Sequence, residues 1–228
     1  VSDKAGNPAS VDHNLTVDVT VPAVTIHTVA GDDVINVAEH NQAQIVSGSA
    51  TGAAAGDKVT VTIGGQSYPT VLDAAGNWSV GVPASVISGL SDGTATITAS
   101  VTDAAGNTGS GTHNVTIDTG LPSVSFNAIS GDNVLNAVEK GQDLSVSGTS
   151  ANLAEGTMVT VTLNGKNYTA TTGSDGTWSL TVPAADLAGL GQASYTLNAT
   201  ATNGVGNSVS SSANLLVDTA LPTVTINT

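Results

Sequence analysis

The chain repeats itself every 100 residues, and that period bounds what it can fold into. "DVTVP" at 18–22 returns as "DTGLP" at 118–122 and as "DTALP" at 218–222. "VTVTIGGQSY" at 59–68 returns as "VTVTLNGKNY" at 159–168, and "GNWSVGVP" at 76–83 as "GTWSLTVP" at 176–183. "DAAGN" at 103–107 returns as "NGVGN" at 203–207, and "DKAGN" at 3–7 keeps the same register. The expected organisation is the C-terminal tail of one repeat at 1–17, complete repeats at 18–117 and 118–217, and the start of another at 218–228. A chain cut this way reads as an interior slice of something longer.

Inside one period the apolar residues alternate with Thr and Ser. In "VTVTI" and "TATITASV", Val59, Val61 and Ile63 fall on one face, as do Ile97, Ala99 and Val101. Strands are expected at 23–29, 43–50, 58–64, 67–73, 78–83, 94–102 and 111–118, with Gly-containing turns between them. About seven short strands in such a unit predict an immunoglobulin-like sandwich. Trp78 and Trp178 open the same strand in each repeat and are read as core anchors, because an indole gains strongly from burial. "PASVISGL" and "PAADLAGL" offer at most one or two helical turns.

Composition removes several functions. There is no Cys, which rules out disulfides and thiolate metal sites. Four Lys and no Arg against 18 acidic residues leave a net charge of −14 and nothing to neutralise phosphate, so nucleic acid is not an expected partner. No apolar run is long enough for a membrane span, and no leader segment is expected at the start. No catalytic constellation emerges. His13 and His113 share a register whose third position is Ala213, and they read as strand-surface residues. His27 and His40 are matched by Asn127 and Lys140, which disfavours a zinc site.

The 100-residue period, the D-T-x-x-P junction, the G-D-x-V-x-N-x-x-E loop at 31–39 and 131–139, the G-x-W-S-x-x-V-P strand and the D-x-x-G-N loop together resemble the tandem bacterial Ig-like domains of giant type I-secreted adhesins, of the RTX and biofilm-associated kind. The resemblance covers essentially the whole chain. It implies an all-β fold of tandem immunoglobulin-like β-sandwiches in a linear rod, secreted to the bacterial cell surface and stiffened by Ca2+ at and near the junctions. It also implies a monomeric rod whose partners are neighbouring repeats of the same chain, with host-cell surface or glycan engaged through other regions.

Following the strands of such a sandwich puts the acidic loop of one repeat opposite the D-x-x-G-N-type loop of the next, with the linker Asp between them. Asp32, Asp33, Asn36 and Glu39 of the first repeat, Asp118 of the linker, and Asn203 and Asn207 of the second are then expected at one junction. Calcium takes about six to eight oxygens from carboxylates, amides, carbonyls and water, which such a cluster offers. The corresponding metal candidates elsewhere are Asp18, Asp103 and Asn107 at the preceding junction, and Asp132, Asn136, Glu139 and Asp218 at the following one. Two substitutions between repeats bear on this: Asn133 for Asp33 and Asn203 for Asp103 each remove a carboxylate. A competing local reading has Asp32 capping a short helical turn, with Asn36 and Glu39 solvated and Asp103 and Asn107 serving as turn residues.

The function expected is that of spacer repeats in a surface adhesin, supporting adhesion to host cells or biofilm formation, and not an enzyme. The alternative is a set of accessory carbohydrate-binding sandwich domains of a secreted polysaccharide-active enzyme. That role needs an exposed aromatic platform, and aromatic residues make up only 3% of the chain.

Overall fold

A computed structural model describes residues 1–226. The last two positions of the expected start of a further repeat at 218–228 lie outside the described residues. Each complete repeat folds as two facing sheets. In the first repeat, β1 (Ala23–Ile26), β3 (Gln44–Thr51) and β6 (Asn77–Val82) form a three-stranded sheet in the order β1-β3-β6. The other sheet runs β2-β8-β7-β4-β5, from β2 (Val34–Asn36), β8 (Thr108–Asp118), β7 (Gly93–Thr102), β4 (Lys58–Ile63) and β5 (Gln66–Val71).

The second repeat copies this plan. Its sheets are β9-β11-β14 and β10-β16-β15-β12-β13, from β9 (Ser123–Phe126), β10 (Val134–Leu135), β11 (Leu144–Ala151), β12 (Met158–Leu163), β13 (Lys166–Thr171), β14 (Thr177–Val182), β15 (Ala193–Thr202) and β16 (Ser208–Val217). Single helical turns, α1 (Ala84–Ile87) and α2 (Ala184–Leu187), follow Pro83 and Pro183. The seven expected strands are present and an eighth joins them. This is β2, or β10 in the second repeat, a short segment of the acidic loop that pairs in parallel with the last strand.

The alternation of the strands is what closes the cores. Val59, Val61, Ile63, Ile97, Ala99 and Val101 are all buried, facing Val46, Trp78 and Val82 from the opposite sheet. Trp78 and Trp178 are 3% and 2% exposed, so neither serves as a ligand platform. Each indole lies over the glycine paired with it across the sheet, Gly48 or Gly148. In the second repeat Phe126 meets Trp178 edge-on, with ring centroids 5.4 Å apart.

The connection between repeats has no slack. β8 ends at Asp118 and β9 begins at Ser123, so only 119–122 separate the two sandwiches.

Candidate metal centre and inter-repeat junction

The junction is built outward from Asp118. Its Oδ1 accepts the Gly120 N–H at 3.0 Å, an Asx-type turn that redirects the chain into Leu121 and Pro122. Asp18 and Asp218 make the same turn, accepting from Thr20 and Ala220 at 2.9 and 3.0 Å. Parallel pairing of β2 with β8 sets Asn36 beside Asp118. The second repeat continues this pattern at its own end, where the Asp218 N–H donates to the Leu135 carbonyl at 3.1 Å.

Asn36 and Glu39 form a reciprocal pair. Asn36 Oδ1 accepts the N–H groups of Ala38 and Glu39 at 3.0 and 3.2 Å, and Glu39 Oε2 accepts the Asn36 N–H at 3.1 Å. Asn136 and Glu139 repeat it with Val138. This is a capping box, in which residues three apart satisfy each other's backbone donors at the head of a turn. Asp32 and Asp132 each accept one N–H, from Val34 and Val134.

Asp33 is engaged inside its own repeat. Its Oδ1 accepts the Val29 N–H at 2.8 Å and lies 2.7 Å from His113 Nε2. Desolvation opposes its charge, but the Val29 N–H and then His113 outweigh it and hold the carboxyl below the usual range. In the second repeat Asn133 receives the equivalent N–H from Ile129 at 2.9 Å, and Ala213 stands where His113 does. Both residues occupy left-handed backbone, φ 62° for Asp33 and 64° for Asn133, which Asp and Asn tolerate better than other side chains. His113 is thus the partner of Asp33 rather than a solvated strand residue.

On the facing pole of each repeat, Asp103 is 9% exposed and Asn207 is fully buried. Asp103 Oδ1 accepts the N–H groups of Ala105 and Asn107, and its Oδ2 accepts the Asn107 amide at 2.9 Å. That amide bond, against some desolvation and with the backbone donors assisting, lowers the Asp103 pKa. Asn107 also donates to the Asp18 carbonyl at 3.1 Å. Asp3 and Asn7 repeat the turn at the start of the chain, as does Asp73 toward Asn77 in a loop outside the junctions. The D-x-x-G-N pattern therefore closes a turn wherever it occurs.

Between the repeats the structure joins Asn207 to the first repeat directly. Its Oδ1 accepts the Val37 N–H at 2.8 Å, and its Nδ2 donates to the carbonyls of Asp118 at 2.9 Å and Gly120 at 3.2 Å. Asn203 Oδ1 accepts the Asn207 N–H at 2.9 Å, and its own amide reaches toward the Gly120 carbonyl at 3.4 Å. Val37 and Gly120 contribute backbone groups only, so residue type gave no sign of them. The pairing of Asp33 with His113 did leave a trace, since both change together in the second repeat.

The donor set is all oxygen and amide, the kind a hard cation takes. Asp32, Glu39 and Asp118 each have one carboxylate oxygen with no hydrogen-bond donor among the described residues. No group of three or more His, Cys, Asp or Glu side chains gathers to hold a metal among those residues. A cation here would draw on carboxylates together with carbonyls and water.

A search of the curated proteins finds no match to the chain. Among solved structures, it is 37% identical, at a TM-score of 0.61, to one described as a Ca2+-stabilized adhesin that helps an Antarctic bacterium reach out and bind ice; the match covers 95% of this chain and 55% of that one. It is 35% identical, at a TM-score of 0.57, to one described as giving structural insight into host cell surface retention of a 1.5-MDa bacterial ice-binding adhesin, covering 87% of this chain and 65% of that one. Both structures are longer than the chain described here. Among the described residues no helix is long and apolar enough to cross a membrane. The bacterial Ig-like domain matches residues 20–119 and again 123–219, the same two units that the sheets delimit, and the chain belongs to that family.

Proposed function

We propose that this segment is a calcium-stiffened extracellular spacer of a giant bacterial surface adhesin. It would hold a distal binding region away from the cell and so support adhesion to host cells or biofilm formation. The observation that carries this reading is the direct passage from β8 to β9 through 119–122, a linker too short to let the two sandwiches swing freely. Likeness to two long adhesins supports it. The aromatic side chains are placed for packing, which argues against a sugar-binding role.

The residues proposed to hold calcium are Asp32, Asn36, Glu39 and Asp118, with Asp33, Asn207 and the carbonyls around them contributing position more than charge. Asp18, Asp103 and Asn107 would serve the preceding junction, and Asp132, Asn136, Glu139 and Asp218 the following one. When bound, the ion would neutralise carboxylates that have almost no internal counter-charge. The protein supplies the rest: Asx turns fix the linker, the capping box holds the Glu39 carboxylate beside Asn36, and strand register puts Asn36 beside Asp118. The proposed partners are the neighbouring repeats of the same chain, at the bacterial surface.

Calcium titration followed by thermal melting and small-angle scattering, with and without chelator, tests the proposal. Calcium should raise the melting temperature and narrow the distribution of solution shapes. A melt and a scattering profile that chelator leaves unchanged would sink it.

A further inference from the structure

We infer that each repeat carries at its upstream pole a seat for one backbone N–H of the preceding repeat, and that Asn207 in this seat sets how the two repeats are oriented. The inference deepens the spacer reading and rests on it.

A side-chain amide has one acceptor oxygen and two donors held in a plane. At Asn207 both ends are engaged, and with groups of different origin. The oxygen takes the Val37 N–H of the first repeat, and the nitrogen donates to the linker carbonyls of Asp118 and Gly120. The residue is completely buried. Rotating one sandwich against the other would break the bond between them and leave the fully buried Asn207 oxygen without its donor, which opposes the rotation. Carboxylates and a loosely held cation attract without fixing a direction in this way.

The chain also shows the two halves of the seat apart. Asn107 occupies the Asn207 position in the first repeat and donates to the Asp18 carbonyl as Asn207 does to that of Asp118. Asn107 is only partly buried, and among the described residues no donor meets its oxygen. Ala137 occupies the Val37 position in the second repeat, between Asn136 and Val138 of the capping box, and its N–H meets no acceptor among the described residues. The upstream pole of the pair thus presents an acceptor and the downstream pole a donor. The occupant that fits each is another repeat with the same loop and the same D-x-x-G-N-type turn.

The test uses the full chain in saturating calcium, with amide hydrogen exchange and residual dipolar couplings as readouts. In the wild type, Val37 should exchange at least about tenfold more slowly than Ala137 after correction for intrinsic rates. Asn207→Ala should bring Val37 to the Ala137 rate and change the alignment of one repeat relative to the other, while Ala99 and Ala199 in the central strands stay protected. Val37→Pro removes the N–H from the other side, at a residue between β2 and the following turn whose N–H is bonded to Asn207. It should give the same change of relative alignment, and it alone decides the question if Asn207→Ala unfolds the second repeat. Equal exchange of Val37 and Ala137 in the wild type, slow Val37 exchange in Asn207→Ala, or wild-type alignment in Val37→Pro overturns the inference. The spacer reading fails separately, through wild-type scattering and melting that ignore calcium.

Discussion

Asp33 and His113 show how one position is solved two ways. In the first repeat a carboxylate accepts the Val29 N–H and meets an imidazole; in the second, Asn133 accepts the Ile129 N–H with no charge at all. The side chains of Asp33 and His113 are roughly a third and a quarter exposed, so their contact is worth at most about 1 kcal/mol. The double variant Asp33→Asn/His113→Ala, which copies the second repeat, should therefore unfold in urea within about 1 kcal/mol of the wild type at neutral pH. Because the folded carboxyl of Asp33 lies below its ordinary value, its contribution is present above about pH 3.9 and is lost as pH falls through the lowered folded value. The double variant should lack that loss, and urea midpoints on either side of the window measure the difference. Gly148 illustrates a steric constraint instead. A Cβ there would collide with the Ser125 carbonyl oxygen and the Trp178 ring, so Gly148→Ala should destabilise the second repeat by about 3 kcal/mol. A glycine in mid-strand at the same place in both repeats was visible in the sequence, but how closely the backbone of the neighbouring strand approaches it was not.

At the scale of elements, the strands with unbroken alternation were legible because one buried face imposes a period of two. The segments β2 and β10 were not, since three and two residues carry no period and exist as strands only because β8 and β16 offer them an edge. The acidic loop shows a subtler limit. An Asn followed three residues later by Glu suits a cation site and a capping box equally, and the structure reveals the box while leaving one Glu39 oxygen available. The two uses separate by experiment. Asn136→Ala should cost about 1 kcal/mol in chelator, where only the cap is lost, as judged by chemical denaturation of the second repeat. The same substitution should cost more in calcium if Asn136 also serves an ion, and an equal cost in both conditions would assign it to the cap alone.

For the whole molecule, the balance of 18 acidic against four basic residues makes self-repulsion the alternative source of any calcium response. The two origins differ in how they respond to sodium chloride. Diffuse repulsion between exposed carboxylates is screened beyond about 8 Å at physiological ionic strength, so monovalent salt should relieve it as well as calcium does. An ion held among Asp118, Glu39 and the neighbouring carbonyls replaces water at defined oxygens, and sodium chloride at matched ionic strength cannot substitute for it. With a dissociation constant near 10⁻⁴ M, about 1 mM calcium stabilises by roughly 1.4 kcal/mol per site. For units of this size that corresponds to a rise of about 5 to 10 °C in melting temperature. The expected outcome, measured by calorimetry in about 0.15 M sodium chloride, is therefore a rise of that order on adding calcium and almost none on adding further sodium chloride at matched ionic strength. Equal responses to the two salts would mean that the carboxylates act only as a diffuse field, and orientation of the repeats would then rest on Asn207 and the linker without help from a bound ion.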